Sequence, residues 1–229
     1  MMRHWLLQIS IHQTEGKEIL FYGFIGLLLF LAVIRQAFPK YFTDLFRLFF
    51  RTTLKQRHLS EQLTQTPLPS LLLNFLFFII AGLYLTFWLD RMGRNPFSTF
   101  WWLFLCMIGV VAGAYLVKFI MLHFTGWLFK VHEAADSYIF TVFTINKMAG
   151  LFLFPLLALM AFSAPWLFPI SLALSWILLG ALLLYRIGLT YGVVRKQMQI
   201  SGFHFLLYVT GFELAPLLVL YKLFLLNFS

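Results

Sequence analysis

Charged side chains are scarce in this sequence. They make up 11% of it, where a soluble domain carries about 25%. Eight acids in 229 residues cannot supply the solvated surface of a water-soluble globule. With 62% of residues hydrophobic and a mean hydropathy of +0.88, the surplus apolar surface has to face hydrocarbon. Cysteine is nearly absent. Cys106 alone excludes an intrachain disulfide, and within an apolar run it reads as a small hydrophobe between helices.

Catalytic signatures are missing as well. There is no phosphate-cradling glycine loop, no dinucleotide fingerprint and no serine in a nucleophile-elbow context. His132, Glu133 and Asp136 read HEAAD. On a helix His132 and Asp136 share a face, but a zinc hydrolase needs a second histidine at that place and a third ligand further on. The segment reads as solvated charge at a span edge. No enzyme activity, cofactor or metal is expected.

What is present is basic and apolar. The net charge is +9. The cations are spread between apolar runs, with no separate basic domain, so they point to lipid head groups and not to nucleic acid. Six runs are long enough to cross a hydrocarbon layer of ~30 Å: residues 18–38, 70–89, 99–123, 147–162, 166–185 and 203–228. The fourth is short and interrupted by Pro155; joined to Tyr138–Ile145 it makes one longer, bent helix. The expected fold is all-α, a polytopic transmembrane bundle in a single domain. The N-terminal stretch lacks a compact apolar run with a cleavage site, so no removable signal peptide is expected.

Twelve of the 17 basic residues fall on one side of these spans: Arg35, Lys40, Arg47, Arg51, Lys55, Arg57, Lys118, Lys130, Lys147, Arg186, Arg195 and Lys196. The positive-inside tendency assigns that side to the cytoplasm and both termini to the periplasm. Pro155 and Pro216, the expected helix kinks, do not occupy equivalent places in two halves, which weighs against an inverted-repeat transporter. Gly109 and Gly113 form a G-x-x-x-G pair, read as close packing within the chain.

The loop after the first span carries an amphipathic pattern over residues 39–58. At 100° per residue, Lys40, Asp44, Arg47, Arg51 and Lys55 fall on one narrow stripe. Phe38, Phe42, Leu45, Phe46 and Phe49 lie opposite. Such a helix lies in the interface plane, with rings among acyl chains and cations at anionic head groups or at a docked partner.

The last segment carries Glu213 about ten residues, or ~15 Å, into its span. A carboxylate there needs a partner, water or a proton. Lys222, nine residues on, points to the opposite face and snorkels outward. Pro216 frees the carbonyl of Phe212 nearby. Lys118 is the leading cationic partner for Glu213, Arg186 a weaker one by depth, and Asn74, His123, Asn146 and Lys147 lie in the same half.

Two stretches, Tyr138–Phe162 and Phe212–Lys222, together resemble an uncharacterised family of polytopic inner-membrane proteins of the Bacteroidota. Its pattern N-[KR]-x-x-G-x-x-x-x-P is met by Asn146, Lys147, Gly150 and Pro155. Its pattern E-x-x-P-x-x-x-x-x-K is met by Glu213, Pro216 and Lys222. The resemblance implies a bacterial inner membrane and no established activity. Two functions are expected from the residues. One is a non-enzymatic accessory subunit of an envelope complex serving secretion or membrane-protein biogenesis, with other membrane subunits as partners. The other is a small proton- or ion-coupled permease centred on Glu213, with Lys118 and Asn74 lining a cytoplasmic vestibule.

Overall fold

The computed structural model describes residues 17–50, 66–93, 95–97, 99–128, 130, 132–164 and 166–198. Glu213, Pro216, Lys222, Arg51, Lys55 and the segment 203–228 lie outside the described residues. Those described form six helices: α1 Lys17–Ala37, α2 Pro39–Phe50, α3 Pro67–Arg91, α4 Phe100–Leu128, α5 His132–Phe162 and α6 Leu167–Met198. All but α2 are long and apolar enough to cross a membrane.

Helix boundaries follow local chemistry. Pro39 disfavours helical dihedrals at Phe38 and ends α1. The backbone N–H of Phe38 still donates to Ile34 (2.9 Å) and that of Phe42 to Phe38 (3.1 Å), so α2 follows with no intervening loop. Pro67 and Pro69 stand in the first turn of α3, where absent N–H groups leave no bond unmade. Gly93, at φ +66°, takes the left-handed conformation that closes α3, and its N–H reaches the Asp90 carbonyl at 3.1 Å. Asn95 then ties the turn to Asp90 (3.2 Å) and to the Phe97 N–H (3.0 Å).

The middle of the bundle is α3 against α5. Of their spanning windows, 44% and 50% of residues are buried, against 11–17% for α1, α4 and α6. Two close approaches set the spacing. A Cβ added at Gly150 would sit 3.2 Å from the Phe77 Cα, bringing α5 onto α3. One added at Gly82 would sit 2.6 Å from Ile108 Cγ1 and 3.0 Å from its backbone N, bringing α3 onto α4. The largest core cluster joins Ile34, Leu45, Leu73, Ile80, Met148 and Leu157 from α1, α2, α3 and α5.

Three expectations need correction. The fourth span is not confined to residues 147–162: one helix, α5, runs from His132 through Pro155 to Phe162, along the longer path through Tyr138–Ile145. Lys147 therefore stands mid-helix and is 3% exposed. Asn146 and Lys147 resemble an interface because hydropathy cannot anticipate that Tyr115 of α4 will bond the asparagine and Tyr41 of α2 and Ser70 of α3 the lysine.

On α2, the stripe against the bundle is Tyr41, Asp44, Leu45 and Leu48. Asp44 thus belongs to the covered face and not to the cationic stripe, with its carboxylate 3.9 Å from the Arg47 guanidinium. Phe42, Phe46 and Phe49 are half-covered, while Lys40, Arg47 and Phe50 remain exposed.

Gly109 and Gly113 are not at a close approach between described helices. A Cβ at either would meet nothing within 4 Å. The glycines that do mark contacts are Gly82 and Gly150.

Candidate functional site

Lys147 is the centre of a buried polar cluster. Its Nζ donates to the Ser70 Oγ at 2.7 Å and to the Tyr41 phenol oxygen at 3.0 Å, and lies 5.7 Å from the centre of the Tyr41 ring. Three elements meet there: α2 supplies Tyr41, the first turn of α3 supplies Ser70, and α5 supplies the lysine. The geometry follows from side-chain direction, because a helical lysine leans toward its own N-terminus. Lys147 thus reaches back from mid-α5 to the start of α3 and to the underside of α2. Burial raises the Tyr41 phenol above its ordinary value, an effect opposed by its hydrogen bond with Ser70. A second bond holds the other end of α2: the Tyr185 hydroxyl of α6 donates to the Phe49 carbonyl at 2.5 Å.

Two asparagines lie close to this centre in sequence. Asn74 stands one turn after Ser70 on α3, and Asn146 precedes Lys147 on α5. The Tyr115 hydroxyl donates to Asn146 Oδ1 at 3.0 Å. Asn146 Nδ2 and Asn74 Oδ1 are buried and have no partner among the described residues. Buried amides of this kind take up water or a polar ligand where room exists.

A second cluster gathers on Tyr138 of α5. Lys118 Nζ, from α4, lies 5.7 Å from its ring centre, and Arg186 Cζ, from α6, lies 5.9 Å from the same ring. Arg186 Nη2 makes a long 3.5 Å contact with the Tyr138 oxygen. Lys118 and Arg186 thus share the Tyr138 ring. A third tie joins α3 to α6 (Tyr84 oxygen to Ser175 Oγ, 2.7 Å). Because Ser175 donates onward to the Leu172 carbonyl at 2.6 Å, Tyr84 is the donor.

At the opposite end of α3, Trp88, Arg91, Met92, Phe168, Pro169 and Leu172 line a shallow cavity of about 330 Å³. Arg91 lies over the Phe168 ring there, 5.3 Å from its centre. Among the described residues no group of three or more histidine, cysteine, aspartate or glutamate side chains is gathered for a metal.

Sequence reasoning singled out Lys147, Asn146, Asn74 and Lys118, but missed Tyr41, Ser70, Tyr138 and the Tyr84–Ser175 pair. Their signal is faint. Each is a single hydroxyl in an apolar helix, and only the three-dimensional arrangement pairs it.

Five long apolar helices, packed so that polar groups meet in the interior and apolar side chains cover the outside, define a polytopic membrane protein. The chain belongs to the family described as Domain of unknown function (DUF4271), which matches residues 20–224. No curated protein and no solved structure matches it.

Proposed function

We propose that this protein is a non-enzymatic integral subunit of an inner-membrane complex, and that α2 is its docking platform. The observation that carries the reading is the fixation of α2. Lys147 and Tyr185 hold the helix from beneath through Tyr41 and the Phe49 carbonyl, while Lys40, Arg47 and Phe50 face outward. A helix that served only as a lipid anchor would need no hydrogen-bonded seat. A platform for an acidic partner does need one, because a fixed charge pattern gives specificity and orientation. The distribution of basic residues supports a cytoplasmic α2 and periplasmic termini.

The test is purification in a gentle detergent with mass spectrometry of what co-elutes, for the natural chain and for Lys40→Glu combined with Arg47→Glu. The expected result is a stoichiometric companion that the variant loses while remaining membrane-inserted. A companion set unchanged by the double reversal refutes the platform.

The permease reading has one observation in its favour. Asn74 Oδ1 and Asn146 Nδ2 are buried without described partners, as polar groups lining a transport path would be in a closed state. Reconstitution into liposomes tests it: proton or ion flux abolished by Glu213→Gln supports the permease, and absence of flux removes it.

A further inference from the structure

Two asparagines on neighbouring helices approach one point without meeting. Gly150 of α5 lies against the Phe77 backbone of α3, and nearer the start of the same pair Lys147 reaches Ser70. The contacts advance together along both chains, so α3 and α5 run parallel. Asn74 stands three residues before Phe77, and Asn146 four residues before Gly150. The two therefore share a level, about 10 Å along α3 from Pro67. At 100° per residue, Asn74 is turned about 60° from Phe77, and Asn146 about 40° from Gly150 in the opposite sense. On parallel helices that face each other, opposite turns bring both side chains to the same side of the contact. That side belongs to α4. Its Tyr115 hydroxyl donates to Asn146 Oδ1 at 3.0 Å, and the Tyr115 ring meets Phe77 edge-on with 5.5 Å between centres.

Asn146 is 4% exposed. With its Oδ1 taken by Tyr115, its Nδ2 has no partner among the described residues, and neither has the buried Oδ1 of Asn74. One atom is a donor and the other an acceptor. Within reach they would bond to each other, so a gap separates them. At membrane depth an unpaired amide is costly, and whatever fills the gap must accept from Asn146 and donate to Asn74. An anion accepts from Asn146 but offers nothing to the Asn74 oxygen. A cation suits that oxygen but meets the amide hydrogens of Asn146. Water does both.

We propose that Asn74 and Asn146 hold a buried water molecule, which joins α3 to α5 and, through Tyr115, to α4. A water in this place accepts from the Asn146 amide and donates to the Asn74 oxygen, and so completes a hydrogen-bonded chain across three helices. The site depends on neither functional reading. A held water ties the helices together whether or not α2 docks a partner and whether or not an ion crosses.

The experiment is hydroxyl-radical labelling by an X-ray pulse on the full chain in mild detergent, read residue by residue by mass spectrometry. Radicals formed from a bound water modify the side chains around it, whereas those formed in bulk do not reach the interior. Phe77, 7% exposed, is the reporter beside the site, and Tyr84, 5% exposed and bonded to Ser175, is the dry reference. The expected result is labelling of Phe77 several-fold above Tyr84, falling to the Tyr84 level in Asn74→Leu. The melting midpoint is the second readout. Asn74→Leu strands the Asn146 donor and should lower it by about 2 °C or more. Asn74→Leu combined with Asn146→Leu should lose less than the two single losses together, because removing both groups removes the need for a partner. The proposal is overturned if Phe77 is labelled no more than Tyr84, if its labelling survives Asn74→Leu, or if the midpoint losses add. Should Asn74→Leu fail to accumulate, the labelling of the natural chain decides alone.

Discussion

Replacing Tyr41 with phenylalanine removes one oxygen and tests what holds α2. The Lys147 amine is bound by two hydroxyls, Ser70 at 2.7 Å and Tyr41 at 3.0 Å, in a site where Lys147 is 3% exposed. Losing one leaves a buried donor short of a partner, at a cost of about 1–3 kcal/mol. Ring packing is kept, so little else changes. For a chain of this size that corresponds to a fall of about 2–10 °C in the melting midpoint. Ser70→Ala should behave alike. Lys147→Met should not: it removes the buried polar group together with its needs and keeps the volume, and such swaps are often neutral or stabilising. The decisive measurement is therefore a double-mutant cycle. In the Lys147→Met background, Tyr41→Phe should cost about 1 kcal/mol less than in the natural chain. The assay is thermal unfolding in one fixed detergent, followed by near-ultraviolet circular dichroism. If Tyr41→Phe costs the same with and without the lysine, the two groups are not coupled and the hydrogen-bonded seat of α2 is disproved.

Other outcomes follow from the same packing. Gly150→Leu should abolish a monodisperse peak on size exclusion, because even a Cβ lies 3.2 Å from the Phe77 backbone and overpacking by a whole side chain costs about 1–3 kcal/mol or more. Gly109→Leu, with open space around it, should leave the monomer's midpoint within about 2 °C; a collapse would mean that this face is covered. Tyr84→Phe should cost about 0.5–1.5 kcal/mol by freeing Ser175, read as a lower midpoint that Ser175→Ala does not deepen. The raised Tyr41 phenol predicts a pH effect. Its contribution is complete below pH 10.0, the ordinary tyrosine value, and fades above it as the unfolded chain ionises first. Tyr41→Phe should show a shallower alkaline loss of stability; an equal slope assigns the loss to other groups.

Much of the architecture is legible in the sequence, and the reason is the solvent. In hydrocarbon every backbone group must bond within its own segment, so an apolar run of about twenty residues is a helix almost by exclusion. This is why α1, α3, α4 and α6 agree with the runs read from sequence within a few residues at most ends. The difficulties arose where tertiary partners override hydropathy. Asn146 and Lys147 resemble a membrane edge until Tyr115, Tyr41 and Ser70 meet them, so hydropathy starts this span at residue 147, or at Tyr138 in its longer form, whereas α5 begins at His132. Asp44 has the right angular position for a charged stripe, yet the inward face of α2 is set by Tyr41, Leu45 and Leu48, which carry it inside. The glycine signal misled for a related reason. The G-x-x-x-G spacing at Gly109 marks no described contact, while Gly82 and Gly150 do, and neither belongs to a spaced pair. Isolated hydroxyls such as Ser70 and Tyr138 have no sequence signature at all, because their meaning lies in what they meet.

The seat of α2 also imposes an order on biogenesis. Tyr41 is made 106 residues before the lysine that secures it. At ribosomal speeds of about 5–20 residues per second, that interval is roughly 5–20 s. Throughout it the newborn α2 has emerged without its anchor, and its phenylalanines and cations have only the membrane surface, or an insertion factor, to rest against. A chain arrested before residue 147 should therefore leave this helix open to proteases that cannot touch it once translation is complete.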